Sequence, residues 1–515
     1  MNKKIILAGI FLSLFWPAQA QMKNLGEIMD NSNLLLQDIL YNSDNSIFGY
    51  IFIYSVDKVK EKDWKCEYLI LDKNLNEIAR NTFIQHKYTS RTIIQFIQCR
   101  KKGDNVLVTI GYAYTKVFAA ANNYFNYLLT TYRSISLKEN VISDEFYYDD
   151  GQFKTVNVTD DNLYNMYKKV DNVFEIYPID NEHYTGYLVQ ETYKEAKDEY
   201  QIKELRVIDI NKNLVWAYKF NQSATRNSYS RITKIYWPDE TILITFSNFE
   251  KDKFTGNSLV SIDLLTGKKL FEYVVEDKNS AYYHNFKTEK YGDKIYLTGT
   301  YSPNDERRYI WEDRIGWFKT ELDKDGKQVM KKYHPWTDAS KFIQIKENGK
   351  LEDGYRLNSK EFLIFKDGSV SYLAEKFNEK KGASAFAGYD KSKSSDMVLV
   401  NFDDNFEIKS LNVIEKEVST TFHYDYLFSQ YIKNHTGAVF FFEDYKKSDT
   451  DKKSIWYLGI NKIIDGNYSY EEIPITSPKK EYVIVPYIAK EGYIMLREYN
   501  EKDKFNQIRL ERLNY

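Results

Sequence analysis

A hairpin pattern that returns roughly every 50 to 80 residues is the feature that most limits how this chain can fold. Residues 258–275, SLVSIDLLTGKKLFEYVV, read as a strand that ends at Asp263, a turn at Thr266 and Gly267, and a second strand. Alternating apolar residues before the turn are typical of a strand with one buried face. Eight segments share this pattern, and their strands are predicted to end at Asp72, Lys138, Asp209, Asp263, Asp323, Asp403, Asn461 and Glu511.

A second hairpin of a different kind lies upstream of these turns. In five units it contains a turn rich in Asp, Glu and Gly, followed by an apolar strand: GDNVLVTIGY, PDETILITFS, GDKIYLTGTY, TGAVFFFEDY and EGYIMLREYN. Each unit therefore reads as strand, short turn, strand, long polar segment, strand, short turn and strand. The sixth unit is the least regular, because residues 349–395 lengthen it.

Four antiparallel strands in a repeat longer than 40 residues are typical of a β-propeller blade. The composition agrees, since the 45 Tyr and 31 Phe favour half-buried strands and Pro is limited to 8 residues. We therefore predict an all-β fold, a propeller-like ring of about eight four-stranded antiparallel units, with seven as the alternative. A row of immunoglobulin-type sandwiches is disfavoured, because each would need about 100 residues before the pattern restarts.

The ends of the chain bear on how such a ring would close. An open row of sheets leaves the two terminal faces unburied, so closure is expected. The last unit reaches Tyr515 directly after its third strand. We predict that the segment around Lys23 to Met29 supplies the missing outer strand of this unit.

The first twenty residues, MNKKIILAGIFLSLFWPAQA, have the order of a secretory signal: basic residues, an apolar run and an A-Q-A ending. Cleavage is predicted between Ala20 and Gln21, which would leave residues 21–515 as a single exported propeller-like domain, periplasmic or extracellular. A permanent membrane span needs roughly 20 apolar residues, more than this run offers. No transmembrane segment is predicted.

Charge and cysteine content narrow the class of protein further. The 72 basic and 74 acidic residues are interspersed, whereas a nucleic-acid-binding domain carries a strongly basic patch. No nucleic-acid partner is predicted. The two cysteines, Cys66 and Cys99, leave two interpretations open, one disulfide or two buried free thiols, because sequence does not give the distance between their Cα atoms.

Motifs for catalysis, metal binding or phosphate binding do not stand out. None of the six histidines has ligand spacing to another His or Cys, and H-E-x-x-H, C-x-x-C, G-x-S-x-G, the P-loop and the dinucleotide fingerprint are missing. DKDGK at 323–327 begins like a calcium loop, but Lys327 and His334 occupy positions that need oxygen ligands. The segment is predicted to be a turn, and no catalytic residue, metal ligand or cofactor is predicted.

The long segments between the second and third strands are the places where binding is expected, because equivalent loops of a propeller emerge on one face. Two of them are unusual: residues 112–127 are apolar and aromatic, and residues 301–317 combine Arg, Tyr and Trp. Either they are recognition loops, or they fold back and cover the end of the ring. The predicted recognition residues are Tyr112, Tyr114, Phe118, Tyr124, Arg307, Arg308, Tyr309, Trp311 and Trp317.

Three functions fit these observations. The first is a non-catalytic binding or scaffold protein that holds a protein or a glycan on its loop face. The second is a secreted hydrolase or lyase with carboxylates in the central funnel, and the third is an envelope sensor or assembly subunit. Propellers serve both binding and catalysis, so fold does not separate these functions. The missing catalytic motifs and the Tyr-rich segments favour the first.

Overall fold

The computed structural model describes residues 22–24, 33–60, 63–86, 92–114, 127–149, 151–156, 173–181, 183–192, 203–225, 227–304, 314–378, 393–419, 425–432, 434–447, 454–464, 466–475, 483–500 and 505–513. These ranges are almost entirely β structure. A short 3-10 helix, Trp336–Lys341, follows one of the strands. No helix in the described ranges has the length and apolar character needed to span a bilayer.

The first half of the chain forms strands β1 Met22–Asn24, β2 Asn33–Tyr41, β3 Ile47–Lys60, β4 Asp63–Asp72, β5 Glu77–His86, β6 Thr92–Lys102, β7 Asn105–Tyr114, β8 Tyr127–Ser136, β9 Val141–Ile142, β10 Phe146–Asp149, β11 Gln152–Thr155, β12 Val173–Asp180, β13 Thr185–Thr192, β14 Lys203–Asp209, β15 Leu214–Phe220, β16 Ser228–Tyr236, β17 Thr241–Glu250, β18 Lys253–Asp263 and β19 Lys269–Val274.

The second half forms strands β20 Tyr282–Tyr291, β21 Lys294–Pro303, β22 Gly316–Asp323, β23 Gln328–Pro335, β24 Arg356–Ile364, β25 Val370–Asn378, β26 Lys393–Phe402, β27 Ile408–Ile414, β28 Tyr426–Ile432, β29 Gly437–Lys447, β30 Ser454–Ile464, β31 Asn467–Pro474, β32 Val483–Ile488, β33 Tyr493–Asn500 and β34 Phe505–Arg512.

The strands pair into eight antiparallel sheets, which are the blades of an eight-bladed β-propeller. Blades 1 to 8 are β2–β5, β6–β11, β12–β15, β16–β19, β20–β23, β24–β27, β28–β31 and β32–β34 with β1. The predicted propeller of eight units is confirmed. Blade 2 departs from the four-stranded prediction, because β8 pairs with both β9 and β10, and β11 lies outside β10.

The ring is held together by hydrophobic clusters that each join two consecutive blades, and one cluster joins blade 8 to blade 1. Strand β3 shows how one strand serves two clusters: Ile51 and Ile53 pack toward blade 2, while Tyr50 and Phe52 pack toward blade 8. Since successive side chains point to opposite faces of a sheet, a middle strand such as β3 is buried on both faces. This explains the nearly continuous apolar runs in the sequence.

The first and last strands of the chain close the ring. Strand β1 pairs antiparallel with β34, and Met22 lies opposite Arg509, Lys23 opposite Ile508 and Asn24 opposite Gln507. The prediction that the N-terminal segment supplies the outer strand of the last blade is confirmed for these residues. The rest of the predicted segment, residues 25–29, lies outside the described residues.

Disulfide trapping tests this closure. In a Cys66→Ala, Cys99→Ala background, we expect the pair Met22→Cys and Arg509→Cys to form an intramolecular disulfide, because the two residues are cross-strand partners. Non-reducing electrophoresis and mass spectrometry of the monomer measure it. As a control, Met22→Cys with Arg512→Cys is shifted by about 10 Å along the strand and should not crosslink. Equal crosslinking of both pairs, or of neither, would contradict the pairing.

The recurring Asp at strand ends stabilises the turns through its carboxylate. Asp72 Oδ1 accepts backbone N–H groups of Asn74 at 2.7 Å and Asn76 at 2.8 Å. In DKDGK, Asp323 Oδ1 likewise accepts the N–H groups of Asp325 and Lys327, both at 2.9 Å. Such side-chain to backbone bonds are why Asp favours turns. The prediction that DKDGK is a turn is therefore confirmed.

The predicted strand end at Asn461 is wrong. Strand β30 continues to Ile464, and the turn follows at Gly466, which has a φ of 74°. Asn461 is fully buried, and its Oδ1 accepts the hydroxyl of Tyr468 at 2.6 Å. An Asn whose amide oxygen is hydrogen-bonded inside a sheet resembles a turn residue in sequence alone.

Candidate functional site

Two of the predicted recognition residues lie in the core. Tyr112 belongs to β7 and is fully buried, and its hydroxyl donates to Glu145 at 2.6 Å and accepts from Gln85 at 2.7 Å. Trp317 belongs to β22, is also fully buried, and packs edge-on against Trp336 with ring centroids 4.4 Å apart. The prediction that these two residues line a recognition surface is wrong, because both strands continue past the predicted loop boundaries and pack between two blades.

The other predicted recognition residues stay predictions. Tyr114 is the last residue of β7, and its side chain lies outside the described part of the structure. The residues of the two loops themselves also lie outside the described residues: Phe118, Tyr124, Arg307, Arg308, Tyr309 and Trp311.

The cysteines follow the second of the two interpretations that the sequence left open. Cys66 and Cys99 are free thiols, and both are buried in the cluster between blades 1 and 2. Burial raises the pKa of the Cys66 thiol to about 12 and raises the pKa of the Cys99 thiol well above its usual value. Both thiols are therefore protonated packing groups rather than nucleophiles.

The two faces of the ring differ in their connections. The second and third strands of a blade form a hairpin on one face, and some of these hairpins are long: β3 continues to Lys60 before β4 begins at Asp63. We call this the hairpin face. The short turns after the first and third strands lie on the opposite face, which we call the turn face. The first strands of all blades run from the hairpin face to the turn face.

Two cavities open on the turn face, opposite the predicted loops. These cavities, of about 430 Å³ and 590 Å³, adjoin each other and share Tyr41 and Asn45. Their walls come from the ends of the first strands and the turns of blades 1 to 4, 7 and 8. We call this combined opening the axial mouth. Its size is that of a small-molecule or oligosaccharide site.

An arginine held between aromatic rings forms one wall of the axial mouth. The Arg100 guanidinium carbon lies 4.7 Å from the ring centre of Tyr177 and 5.9 Å from that of Trp237. Its Nε and Nη2 donate to Gln98 Oε1 at 3.3 and 3.2 Å. Burial lowers the pKa of Arg100, but an arginine keeps its charge at any physiological pH. The stacking holds this donor in place beside the Trp237 ring.

The carboxylates of this wall join neighbouring blades. Asp38 accepts backbone N–H groups from Ile39 at 2.8 Å and, across the blade boundary, from Cys99 at 2.6 Å. Asp180 accepts the N–H of Gly103 at 2.6 Å and so ties blade 3 to blade 2. Burial raises the pKa of Asp38. Both side chains are thus fixed by backbone donors of the wall itself.

The first strands of blades 5 to 7 hold a polar network around Lys287, and Tyr431 of this network also lines the axial mouth. Lys287 Nζ lies 3.1 Å from Glu361 and 3.3 Å from Glu289, and it lies 5.3 Å from the ring centre of Tyr431. Burial opposes the charge of Lys287, but Tyr431 and the two carboxylates outweigh it and raise its pKa. Tyr431 also stacks on His435 at 4.4 Å. Burial lowers the pKa of His435, which favours its neutral form.

The axial mouth is close to electrically neutral. The basic and acidic residues that line it are equal in number: Lys73, Arg100, Lys101 and Lys490 against Asp38, Asp44, Asp180 and Glu491. Within the described ranges, no group of three or more His, Cys, Asp and Glu side chains is arranged to hold a metal ion. The mouth therefore offers hydrogen-bonding groups and aromatic rings rather than a strong field of one sign.

Comparison with known proteins gives a family but no activity. Residues 145–423 match a family described as a family of unknown function, DUF6770. The chain belongs to this family. No curated protein matches the chain in sequence.

Several solved propellers and enzymes are distantly similar in structure. The β-propeller domain of the Trilobed protease from Pyrococcus furiosus is 13% identical, with 83% of this chain and 97% of that chain covered and a TM-score of 0.36. The WD40 domain of SCAP from fission yeast is 10% identical, with 96% and 98% covered and a TM-score of 0.34. A europium-containing methanol dehydrogenase is 10% identical, with 91% and 87% covered and a TM-score of 0.36. At these scores the similarity carries no functional argument.

Proposed function

We propose that this protein is an exported, non-catalytic binding propeller that holds a glycan in its axial mouth. The observation that carries the proposal is the combination of the aromatic rings of Trp237 and Tyr41 with the polar side chains of Arg100, Asn45 and Asn181 in one open cavity. Tyr41 is 42% exposed, so its ring is available to a ligand. Export is supported by the signal-like residues 1–20.

The chemistry of a sugar suits such a wall. A pyranose ring has an apolar face that can lie on an aromatic ring, while its edge carries hydroxyl groups. Trp and Tyr offer a large apolar surface with a polar edge. Amide, carboxylate and guanidinium groups together supply both acceptors and donors for hydroxyls. The balanced charge of the mouth favours a neutral glycan over a phosphate or a nucleic acid.

The arrangement of the carboxylates supports binding rather than hydrolysis. Glycosidases place two carboxyl groups on either side of the bond that is cleaved. Here Asp38 is tied to Ile39 and Cys99, and Asp180 is tied to Gly103. Asp38 and Asp180, two of the four acidic residues that line the mouth, are thus used to join blades.

A glycan array with the purified chain and with Trp237→Ala tests the proposal. We expect the wild-type chain to bind at least one neutral glycan, and the variant to lose tenfold or more in affinity, since buried aromatic anchors dominate such sites. Tyr41→Ala should weaken binding of the same glycan, and circular dichroism should show that both variants are folded.

Trp456→Ala is the matched control. Trp456 is 40% exposed and lies in the hairpin of blade 7, on the opposite face, so its removal should leave glycan affinity unchanged. The proposal fails if the wild-type chain binds no glycan, or if Trp237→Ala and Tyr41→Ala bind as tightly as the wild type.

A further inference from the structure

A separate cavity of about 350 Å³ lies between blades 4 and 5, toward the hairpin face. Strands β16, β17, β18 and β20 form it, and none of its lining residues also lines the axial mouth. Its volume is at the lower end of the range for small-molecule sites. The chemistry of its walls differs from that of the mouth.

The walls are aromatic. Phe249 and Phe254 meet edge to face with ring centroids 6.0 Å apart, and Phe286 forms a third, buried wall. Phe254 is supported from behind by Tyr283, at 5.0 Å. Aromatic rings pack favourably against another ring in edge-to-face or offset geometry. The cavity therefore suits a planar apolar group.

The floor is a buried chain of hydrogen bonds. Asn257 Nδ2 donates to Glu276 Oε1 at 2.6 Å, and His284 Nδ1 lies 2.6 Å from Glu276 Oε2. The side chains of Glu276 and His284 are almost fully buried. A carboxylate can only accept, so both neighbours must donate to it. The other ring nitrogen of His284, Nε2, lies 2.9 Å from the Tyr333 hydroxyl, and burial lowers the pKa of His284.

This chain of bonds sets the polarity of Ser247, one of several polar residues, Lys234 among them, that line the cavity. The amide nitrogen of Asn257 points to Glu276, so its oxygen accepts the hydroxyl proton of Ser247 at 2.8 Å. Ser247 lines the cavity, and with its proton committed to Asn257 it meets any ligand as an acceptor. A ligand group beside Ser247 must therefore donate.

A second Ser–Asn pair, in blade 6, has the same first hydrogen bond but no carboxylate or histidine beyond it. In blade 6, Ser371 donates to Asn401 at 2.6 Å, again across the second and third strands. There Asn401 donates onward to Ser410 at 3.0 Å instead of to a carboxylate. Neither Ser371 nor Asn401 lines the cavity of blades 4 and 5 or the axial mouth.

We propose that the cavity between blades 4 and 5 binds a small aromatic molecule that carries a hydrogen-bond donor, a phenol being the simplest. The ring lies among Phe249, Phe254 and Phe286, and the hydroxyl donates to Ser247 Oγ. This site is independent of the glycan site in its location and in its chemistry.

Saturation-transfer NMR of the full chain with 4-ethylphenol, and with its methyl ether, tests the proposal. The ether has the same ring but no donor. We expect the phenol to bind the wild-type chain and the ether to bind about threefold to tenfold more weakly, the usual effect of one hydrogen bond. Ser247→Ala should weaken binding of the phenol by a similar factor and leave binding of the ether unchanged.

Two control variants distinguish binding in this cavity from binding elsewhere on the protein. Ser371→Ala removes the matching Ser–Asn bond of blade 6 and should leave the affinity for the phenol unchanged. Trp237→Ala alters the axial mouth and should also leave it unchanged. The comparison of phenol and ether on the wild-type chain needs no variant to fold. Equal affinity for phenol and ether, no binding of either, or loss of phenol binding in Trp237→Ala would overturn the proposal.

Discussion

Replacing Trp317 with alanine is expected to lower the free energy of unfolding by about 3–5 kcal/mol, the range for large aromatic side chains in a core. Trp317 is fully buried between blades 5 and 6, where its ring contacts Trp336 at 4.4 Å and Tyr372 at 5.5 Å. Its removal leaves a cavity that strands on both sides cannot collapse to fill. Urea unfolding followed by circular dichroism measures the loss.

Trp456→Ala is the matched comparison for stability as well. Its ring is 40% exposed and contacts Tyr445 at 5.3 Å on the surface, so we expect little change in the unfolding midpoint. If Trp317→Ala unfolded at the same urea concentration as the wild type but lost ligand binding, Trp317 would have the recognition role that its sequence context predicts, and its place in the core would be contradicted.

Replacing Lys416 with methionine is expected to lower the free energy of unfolding by a similar amount. Here the cause is the loss of a buried charge rather than the loss of side-chain volume. Lys416 is fully buried and forms ion pairs with Asp425 and, at 3.3 Å, with Glu375. Glu375 also pairs with Lys360 at 2.9 Å, so two cations balance two carboxylates. Removing one cation leaves a buried carboxylate without its partner, which costs about 3–5 kcal/mol.

The loss of stability in Lys416→Met is expected to depend on pH. At lower pH, an uncompensated carboxylate can take up a proton in the folded variant, and a group that binds its proton more tightly when folded adds stability as the pH falls. The difference between Lys416→Met and the wild type should therefore be smaller at about pH 5 than at pH 7, as measured by urea unfolding at each pH.

Lys446→Met is the control for Lys416. Lys446 pairs with Glu472 on the surface, where both side chains are substantially exposed, and exposed ion pairs contribute little. We expect no measurable change at either pH. A Lys416→Met variant as stable as Lys446→Met would contradict the buried ion cluster.

The blades could be predicted from sequence because strand period and turn chemistry are local. Asp72 and Asp323 end strands and accept the backbone N–H groups of their turns. The repeat is therefore visible in residues that contact neighbours only a few positions away in the chain. The pairing of β1 with β34 could be predicted by counting strands, since the last unit lacked one. The prediction for Asn461 failed because this residue lies inside strand β30, where its amide oxygen accepts the hydroxyl of Tyr468 on the next strand.

The predicted recognition residues were wrong where a strand continued into a segment that resembled a loop. Tyr112 and Trp317 stand next to polar or aromatic segments, and only the packing of two blades shows that their rings are buried. An aromatic residue at a strand end has the same sequence signature whether it faces solvent or a neighbouring blade.

The axial mouth could not be predicted because its residues are far apart in the chain. Its lining runs from Asp38 in blade 1 to Glu491 in blade 8, and only ring closure brings these blades together. One signal was present in the sequence: Asp38 is the one charged residue of the first strand NLLLQDILY, and Arg100 lies at the charged end of the first strand TIIQFIQCRKK. Charge within an inner strand indicates a group that faces the channel or joins two blades.

The mass of the bound glycan tests the central proposal most directly. A glycan selected on the array is incubated with the full chain, the complex is isolated, and the glycan is released and analysed by mass spectrometry. We expect one unaltered glycan per chain, and none retained by Trp237→Ala. A shortened or unsaturated product formed by the wild-type chain would contradict non-catalytic binding and would assign the mouth to a hydrolase or a lyase.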